Sequence, residues 1–260
     1  MDIGAHIRAL DEDGRLLATA AEEAGLRALV PSCPDWQVRD LLRHTGHVHR
    51  WATRFVAESL REAVPEPAEA AILAAGPPDG ELLGWFRAGH AGLVRALTDA
   101  DPDLTCWTFL PAPSPRAFWA RRQAHETAIH RVDAELAAGG AVTPAAAEFG
   151  ADGIDELVMG FFGRDGRKPP AEQRGSRRQR VLVQATDTGG EWLLELTEDG
   201  RLAATGRRAD GTADCTLAGP AAGLYLLLWN RAEPAAAAVT VTGAEAVLRS
   251  WREGMRVTWQ

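Results

Sequence analysis

The chain has 260 residues, enough for one large domain or two small ones whose hydrophobic cores need no disulfide or metal staples. Its composition, 46% hydrophobic and 25% charged, is ordinary for a folded globular protein and excludes the disordered and fibrous classes. The formal net charge of -8 argues against general binding to nucleic acid, which depends on a basic surface.

Four helices are predicted in the first half of the chain from apolar residues at helical spacing. Gly14 weakens the first helix, and prolines separate it from the second. The fourth helix begins at Ser114 and Pro115, a cap followed by proline in the first turn, and stops at Gly139-Gly140. The four segments cover about residues 4–28, 36–60, 82–97 and 115–138. Because this half contains no convincing strand pattern, the helices predict a bundle.

The second half of the chain contains patterns typical of short strands. One further helix, about residues 145–161, leads into a loop rich in Arg, Gly and Pro. Strands are predicted at residues 180–186, 191–197, 201–205, 214–217 and 239–242. Turn signals separate them at Gly189-Gly190, Asp199-Gly200 and Asp210-Gly211. Two helices are predicted at residues 220–229 and 244–251. These elements indicate a smaller α+β domain, so the fold class is α+β, with domains at residues 1–150 and 151–260.

The cysteines and the N-terminal segment indicate the cellular compartment of the protein. Cys33, Cys106 and Cys215 lie far apart and form no CxxC pair, which indicates neither a cysteine-based zinc site nor a disulfide framework. The N-terminal residues show no basic segment followed by an apolar one, and no window approaches 18 uninterrupted apolar residues. We therefore expect a cytoplasmic protein that does not associate with membranes.

The predicted fourth helix carries the most informative pair of polar residues, Glu126 and His130. Residues four apart differ by about 40° around a helix, so both side chains project from one face and can share a cation. His125 and His130 diverge by about 140°, which excludes a zincin arrangement of two helical histidines. Such a pair is also common in exposed ion pairs and in the polar interior of bundles, so the spacing alone does not establish a metal site.

A third ligand must come from another helix, and the predicted second helix offers a histidine cluster. His44 and His47 are three residues apart on a similar face, whereas His49 points elsewhere. One or both of the first two could meet Glu126 and His130 across the bundle interior. Two histidines and one carboxylate leave positions open for water or substrate, which is typical of a catalytic zinc site.

Three segments resemble a known family. The stretches CPDWQVRDLLRHTGHVHRW, FWARRQAHETAIHRVDAE and GLYLLLWNR are similar to the actinobacterial family of mycothiol-dependent maleylpyruvate isomerases and related mycothiol-dependent enzymes. The resemblance covers nearly the whole chain. It implies a DinB-like metal-binding four-helix bundle over residues 1–150, followed by a sterol-carrier-like α+β domain over residues 151–260.

The resemblance also implies roles for individual residues. The family's metal ligands fall on His44, Glu126 and His130, which makes His47 and His49 supporting or surface residues. An arginine after the apolar helix of the second domain binds substrate or thiol in the isomerase, and Arg231 matches it. A second arginine of the isomerase lies between the second and third helices, but residues 64–80 of this chain contain none. This departure puts maleylpyruvate as the substrate in doubt.

The resemblance therefore implies a metal-dependent enzyme with Zn²⁺, or another divalent metal, and mycothiol as cosubstrate. Its partners would be a low-molecular-weight thiol, used as a zinc-bound thiolate nucleophile, and a small electrophile that is either isomerised or S-conjugated. We expect a monomer. Two alternatives remain open at this point: a non-catalytic protein that binds metal and ligand for regulation, and a metal-assisted hydrolase that uses no thiol.

Overall fold

The computed structural model describes residues 1–64, 76–162, 179–196, 202–205 and 213–254. The chain divides into two compact units, Met1–Thr143 and Pro144–Gln260. Within the described ranges, no helix is both long enough and apolar enough to cross a membrane.

The first unit contains the predicted helical bundle. Its helices are α1 (Ile3–Ala24), α2 (Val38–Glu58), α3 (Asp79–Asp99) and α4 (Pro115–Ala138). Helix α1 packs on α3 and α4, and α2 packs on the same two helices. The boundaries of α4 follow from local chemistry, because the Ser114 hydroxyl accepts a hydrogen bond from the Ala117 N–H and Gly139 ends the helix in the left-handed conformation, with φ 72°. The predicted start and stop of α4 are thus confirmed.

A short hairpin between α1 and α2 contradicts the prediction that this half lacks strands. Strand β1 (Leu29–Val30) pairs antiparallel with β2 (Cys33–Gln37), in an irregular register. Strand β1 is too short for an alternating pattern, and Pro34 within β2 predicts a break in the chain and not a strand. Helix α1 also ends before the predicted residue 28, because Gly25 adopts a φ of 79°.

Each helix of the first unit contributes one apolar stripe to the core. Leu17 of α1, Leu42 of α2, Phe86 of α3 and Ala134 of α4 are all fully buried in one cluster. Val30 of β1 is buried in the same cluster, which fixes the hairpin to the bundle. The apolar interior therefore sets the rotation of each helix about its own axis, and with it the direction of each polar side chain.

The second unit has the predicted α+β character. Helix α5 (Ala147–Asp155) continues as a π-helical segment, Glu156–Phe162. The strands are β3 (Gln179–Ala185), β4 (Glu191–Leu196), β5 (Leu202–Thr205), β6 (Cys215–Gly219) and β7 (Thr240–Gly243). They form a sheet in the order β5-β4-β3-β6-β7, in which only the β3–β6 pair is parallel within the described strands. Two helices, α6 (Ala221–Leu228) and α7 (Glu245–Gly254), complete the unit.

Most boundaries in this unit agree with the predicted ones within one or two residues. Gly189, with φ 72°, makes the turn between β3 and β4. The turn signals Asp199-Gly200 and Asp210-Gly211 lie outside the described residues.

Candidate metal centre

His44 of α2 and Glu126 and His130 of α4 meet at one point in the first unit. The Glu126 Oε1 atom lies 3.3 Å from His44 Nε2 and 3.2 Å from His130 Nε2. All three potential ligand atoms lie within 4.8 Å of one another. Glu126 and His130 are buried, and the side chain of His44 is 15% exposed. The structure thus brings together the three residues that the sequence singled out, while their role as metal ligands stays a prediction.

Local packing explains why His44 points toward α4. Leu41, Thr45 and Val48 form the buried stripe of α2, and His44 borders that stripe. Helix α2 starts at a fixed position because the Gln37 N–H donates to Asp40 Oδ2 at 2.9 Å. The start and the buried face together fix the position of His44 on the side of α2 that faces α4.

Each of the two α4 residues has a charged partner on the same helix. The His130 Nδ1–H donates to Asp133 Oδ2 at 2.9 Å, and the Ser32 hydroxyl donates to Asp133 Oδ1. On the other side, Arg122 Nη2–H donates to Glu126 Oε2 at 3.1 Å. The side chains of Asp133 and Arg122 are 0% and 1% exposed, so these contacts are little screened by water.

Asp133 is thus a buried partner of His130 and not part of a solvated ion pair. Arg131, the residue that follows His130, has other partners. Its guanidinium donates to Asp13 Oδ1 at 2.8 Å and to Glu135 Oε2 at 2.7 Å.

The protonation states of the site follow from these contacts. Burial would raise the pKa of Glu126, but hydrogen bonds from His130 and His44 and the charge of Arg122 hold that pKa well below its usual range. Burial would lower the pKa of His130, but Asp133 and Glu126 outweigh burial and raise it to about 9. At neutral pH Glu126 is therefore a carboxylate, and His130 carries a proton that a metal ion must displace in order to bind.

The donor set and its spacing fit a divalent metal. Two donors that are each about 2.1 Å from a tetrahedral zinc ion lie about 3.4 Å apart. The two donor separations at Glu126 Oε1, 3.2 Å and 3.3 Å, are close to that value. Two imidazoles and one carboxylate suit zinc and also iron, nickel or manganese. Three protein donors leave coordination positions open, which is typical of catalytic sites.

The other histidines of α2 do not join this cluster. His47 is buried and packs edge-on against Trp85 of α3, with ring centroids 4.9 Å apart. His49 is also buried, and its Nε2 lies 2.8 Å from Thr127 Oγ1. Burial lowers the pKa of His49 well below its usual range, and the charge of His90 lowers it further. The expectation that His47 or His49 could be surface residues is therefore wrong, because α3 and α4 cover that part of α2.

Trp36 of the hairpin borders the site from outside the bundle. Its ring centroid lies 5.0 Å from that of His44 and 6.2 Å from that of His130, and the rings of Trp36 and His130 are stacked at 24°. Trp36 is partly buried and packs against the core cluster, so it joins the wall of the site to the core.

Two residues next to the site were not predicted. Arg122 precedes Glu126 by one helical turn, so the same spacing rule that selected His130 could have found it. Ser32 is distant from Asp133 in sequence and gives no local signal. Its position becomes evident only from the hairpin.

Arg231 lies in the second unit, directly after α6. Its backbone N–H donates to the Leu226 carbonyl at 2.8 Å, and its Nη1–H donates to the Trp229 carbonyl at 2.8 Å. The side chain is partly buried. These contacts anchor the residue at the helix end, and its role in binding substrate or thiol stays a prediction.

Comparisons with known proteins cover both units. Residues 7–135 match the family model described as the mycothiol maleylpyruvate isomerase N-terminal domain, and residues 148–250 match the MDMPI C-terminal domain, which carries the abbreviation of the same family. No curated protein sequence is significantly similar to the chain.

Two solved structures share the fold over almost the whole chain. A histidine-to-alanine variant of the mycothiol-dependent maleylpyruvate isomerase aligns with a TM-score of 0.64 over 93% of each chain. The mycothiol-dependent maleylpyruvate isomerase itself aligns with a TM-score of 0.61 over 89% of this chain and 90% of that chain. Both are 12% identical to this chain, so the likeness establishes the fold alone.

Proposed function

Because the chain belongs to the mycothiol-dependent maleylpyruvate isomerase family, we propose that it is a metal-dependent enzyme that uses a low-molecular-weight thiol on a small electrophile. The thiol would be mycothiol. The reaction would be either isomerisation or S-conjugation of the electrophile.

One observation carries the proposal. His44, Glu126 and His130 converge within 4.8 Å, although they come from two helices and include a residue more than eighty positions from the others. In the metal-free protein Arg122 and the protonated His130 compensate the charge of the buried Glu126 carboxylate. A divalent cation held by the three donors would replace the His130 proton as the positive charge beside Glu126.

Individual residues have different roles at this site. Glu126 presents Oε1 to the two histidines, while Arg122 holds the other carboxylate oxygen. His44, Glu126 and His130 would hold a divalent metal, which would lower the pKa of a thiol bound there and favour its thiolate form near neutral pH. Trp36 covers one side of the donors and limits the access of water.

The two reaction classes differ in the fate of one bond. An isomerase adds the thiolate to an activated carbon–carbon double bond, permits rotation about the resulting single bond, and then expels the thiolate. A transferase keeps the new carbon–sulfur bond. Both need the electrophile to be held in a fixed orientation, and the planar guanidinium of Arg231 suits a carboxylate on the substrate or the thiol.

The arginines between α2 and α3 bear on the substrate. Residues 64–80 contain no arginine, and the one arginine of the connecting segment, Arg61, lies three residues after α2 and is exposed. We therefore propose that maleylpyruvate itself is a poor substrate, because only Arg61 could supply the second positive charge that the resemblance implies.

Metal analysis followed by an activity screen tests the proposal. The purified chain should contain close to one divalent metal ion per molecule. With mycothiol it should isomerise or conjugate at least one of a panel of electrophiles that includes maleylpyruvate. The His44→Ala variant is the control and should lose both metal and activity. Turnover without any thiol would favour a hydrolase, metal binding without turnover would favour a regulatory protein, and absence of metal would refute the site.

A further inference from the structure

A chain of hydrogen bonds links the β1–β2 hairpin to the proposed metal centre. The Ser32 hydroxyl donates to one oxygen of Asp133, and the other oxygen accepts the His130 Nδ1–H at 2.9 Å. Asp133 is fully buried and lies three residues after His130 on α4. Both carboxylate oxygens are therefore committed, one to the hairpin and one to the histidine.

We propose that Ser32 and Asp133 are positioning residues that determine which nitrogen of His130 serves as the metal donor. The inference rests on the proposed metal function. With Nδ1 carrying the proton toward Asp133, Nε2 is the nitrogen that faces Glu126 Oε1, at 3.2 Å. A histidine without such a partner can exchange tautomers and rotate its ring, and both changes remove Nε2 from the donor cluster.

The neighbouring charges support this assignment of Asp133. The cation nearest to it in sequence, Arg131, donates instead to Asp13 and Glu135. Asp133 is thus not simply part of that ion-pair network. A fully buried carboxylate is costly unless it is paired, and the hydrogen bonds that Asp133 accepts from His130 and Ser32 supply that pairing.

The hairpin is held firmly enough to act as a support. Val30, next to the turn that carries Ser32, is buried in the bundle core. Trp36, on the following strand, lies 5.0 Å from the His44 ring. The same short element therefore reaches His130 through hydrogen bonds and His44 through ring contact.

Zinc affinity of the full-length chain tests the proposal. Zn²⁺ dissociation constants would be measured by competition with a chromophoric chelator for the wild type, Asp133→Asn and Ser32→Ala. Loss of a partner that orients a metal ligand typically weakens binding by about 10- to 100-fold, which we expect for Asp133→Asn. We expect about a two- to tenfold loss for Ser32→Ala, because it removes one hydrogen bond from the carboxylate.

Ser114→Ala is the matched control, since it removes a serine hydroxyl that caps α4 far from the donors in sequence. It should lower stability but leave the Zn²⁺ dissociation constant within about twofold of the wild type, because its hydroxyl supports a helix end and no ligand. Nitrogen NMR of the zinc-loaded protein gives a second readout. The wild type should show His130 protonated at Nδ1, and Ser32→Ala and Asp133→Asn should show faster exchange of that proton.

Three results would overturn the inference or its premise. Unchanged zinc affinity and proton exchange in both variants would show that the chain of hydrogen bonds has no positioning role. An equal loss of affinity in Ser114→Ala would show that the effect is one of general stability. A wild-type chain that binds no divalent metal would refute the proposed function and the inference together. If Asp133→Asn does not fold, Ser32→Ala decides by the same criteria.

Discussion

The His44→Ala substitution separates metal binding from folding more cleanly than any change on α4. The side chain of His44 is 15% exposed, and its hydrogen bond to Glu126 is long, at 3.3 Å. Glu126, by contrast, is buried and accepts a hydrogen bond from Arg122, whose side chain is 1% exposed. Removing Glu126 therefore deprives a buried guanidinium of its carboxylate partner, whereas removing His44 does not.

The magnitudes of the two changes should differ clearly. Loss of one hydrogen bond lowers the free energy of unfolding by about 0.5 to 1.5 kcal/mol. Alanine has a higher helix propensity than histidine, which offsets about half of that loss. His44→Ala should therefore change the free energy of unfolding by less than about 1 kcal/mol. Breaking a buried ion pair by removing one partner costs about 3 to 5 kcal/mol, which we expect for Glu126→Ala.

Urea unfolding of the apo protein and zinc competition would be measured for both variants. Loss of a ligand should exceed the effect of losing a supporting partner, so we expect at least a hundredfold weaker zinc binding in each. Only Glu126→Ala should also lose much of its stability. The reasoning would be refuted if His44→Ala bound zinc within tenfold of the wild type, or if it were destabilised as strongly as Glu126→Ala.

Three further predictions concern packing, acid stability and the second unit. Gly14→Ala places a Cβ within 2.6 Å of His90 Cε1, so its free energy of unfolding, measured in urea, should fall by about 1 to 3 kcal/mol. The added Cβ of Gly84→Ala meets nothing within 4 Å, so the free energy of unfolding should rise by about 0.5 to 1 kcal/mol. Burial keeps His49 neutral in the folded state, whereas the unfolded chain protonates it below a pH of about 6.5. The stability of the apo protein should therefore fall as the pH drops below that value. His49→Gln should reduce the slope of stability against pH by up to about 1.4 kcal/mol per pH unit. Arg231→Lys and Arg231→Ala should lower kcat/KM roughly tenfold to a hundredfold without releasing the metal, and unchanged kinetics in both would refute the substrate-binding role.

The bundle could be predicted from the sequence because its signals are local. The Ser114 cap and the Gly139 stop act within a few residues of the helix ends that they define. The β1–β2 hairpin could not be predicted, because strands of two and five residues interrupted by proline show no period. Its stability comes from burying Val30 against the helices, which is a property of the assembled unit.

In the candidate site, too, residues close in sequence could be predicted, whereas the contribution of another helix depended on packing. Glu126 and His130 were predicted to share a face because helix geometry fixes residues four apart. The choice between His44 and His47 needed the family resemblance, since it depends on the rotation of α2. In the structure α3 approaches α2 closely at Gly46, where an added Cβ would lie 2.9 Å from Trp85 Cε3. That approach covers His47 and leaves His44 to face α4.

The charges around the donors bear on why a thiol is a suitable reactant. Glu126 and Asp133 are two carboxylates, and Arg122 supplies one compensating positive charge beside them. Histidines that bind a metal must be neutral, so the protein groups would then sum to one negative charge, and a bound divalent ion would bring the total to one positive charge. In a buried site with low effective dielectric, that excess favours an anionic ligand over a neutral one. A carboxylate set without Arg122 would neutralise the ion fully, so the arginine that sequence analysis overlooked helps to explain why the site would stabilise a thiolate.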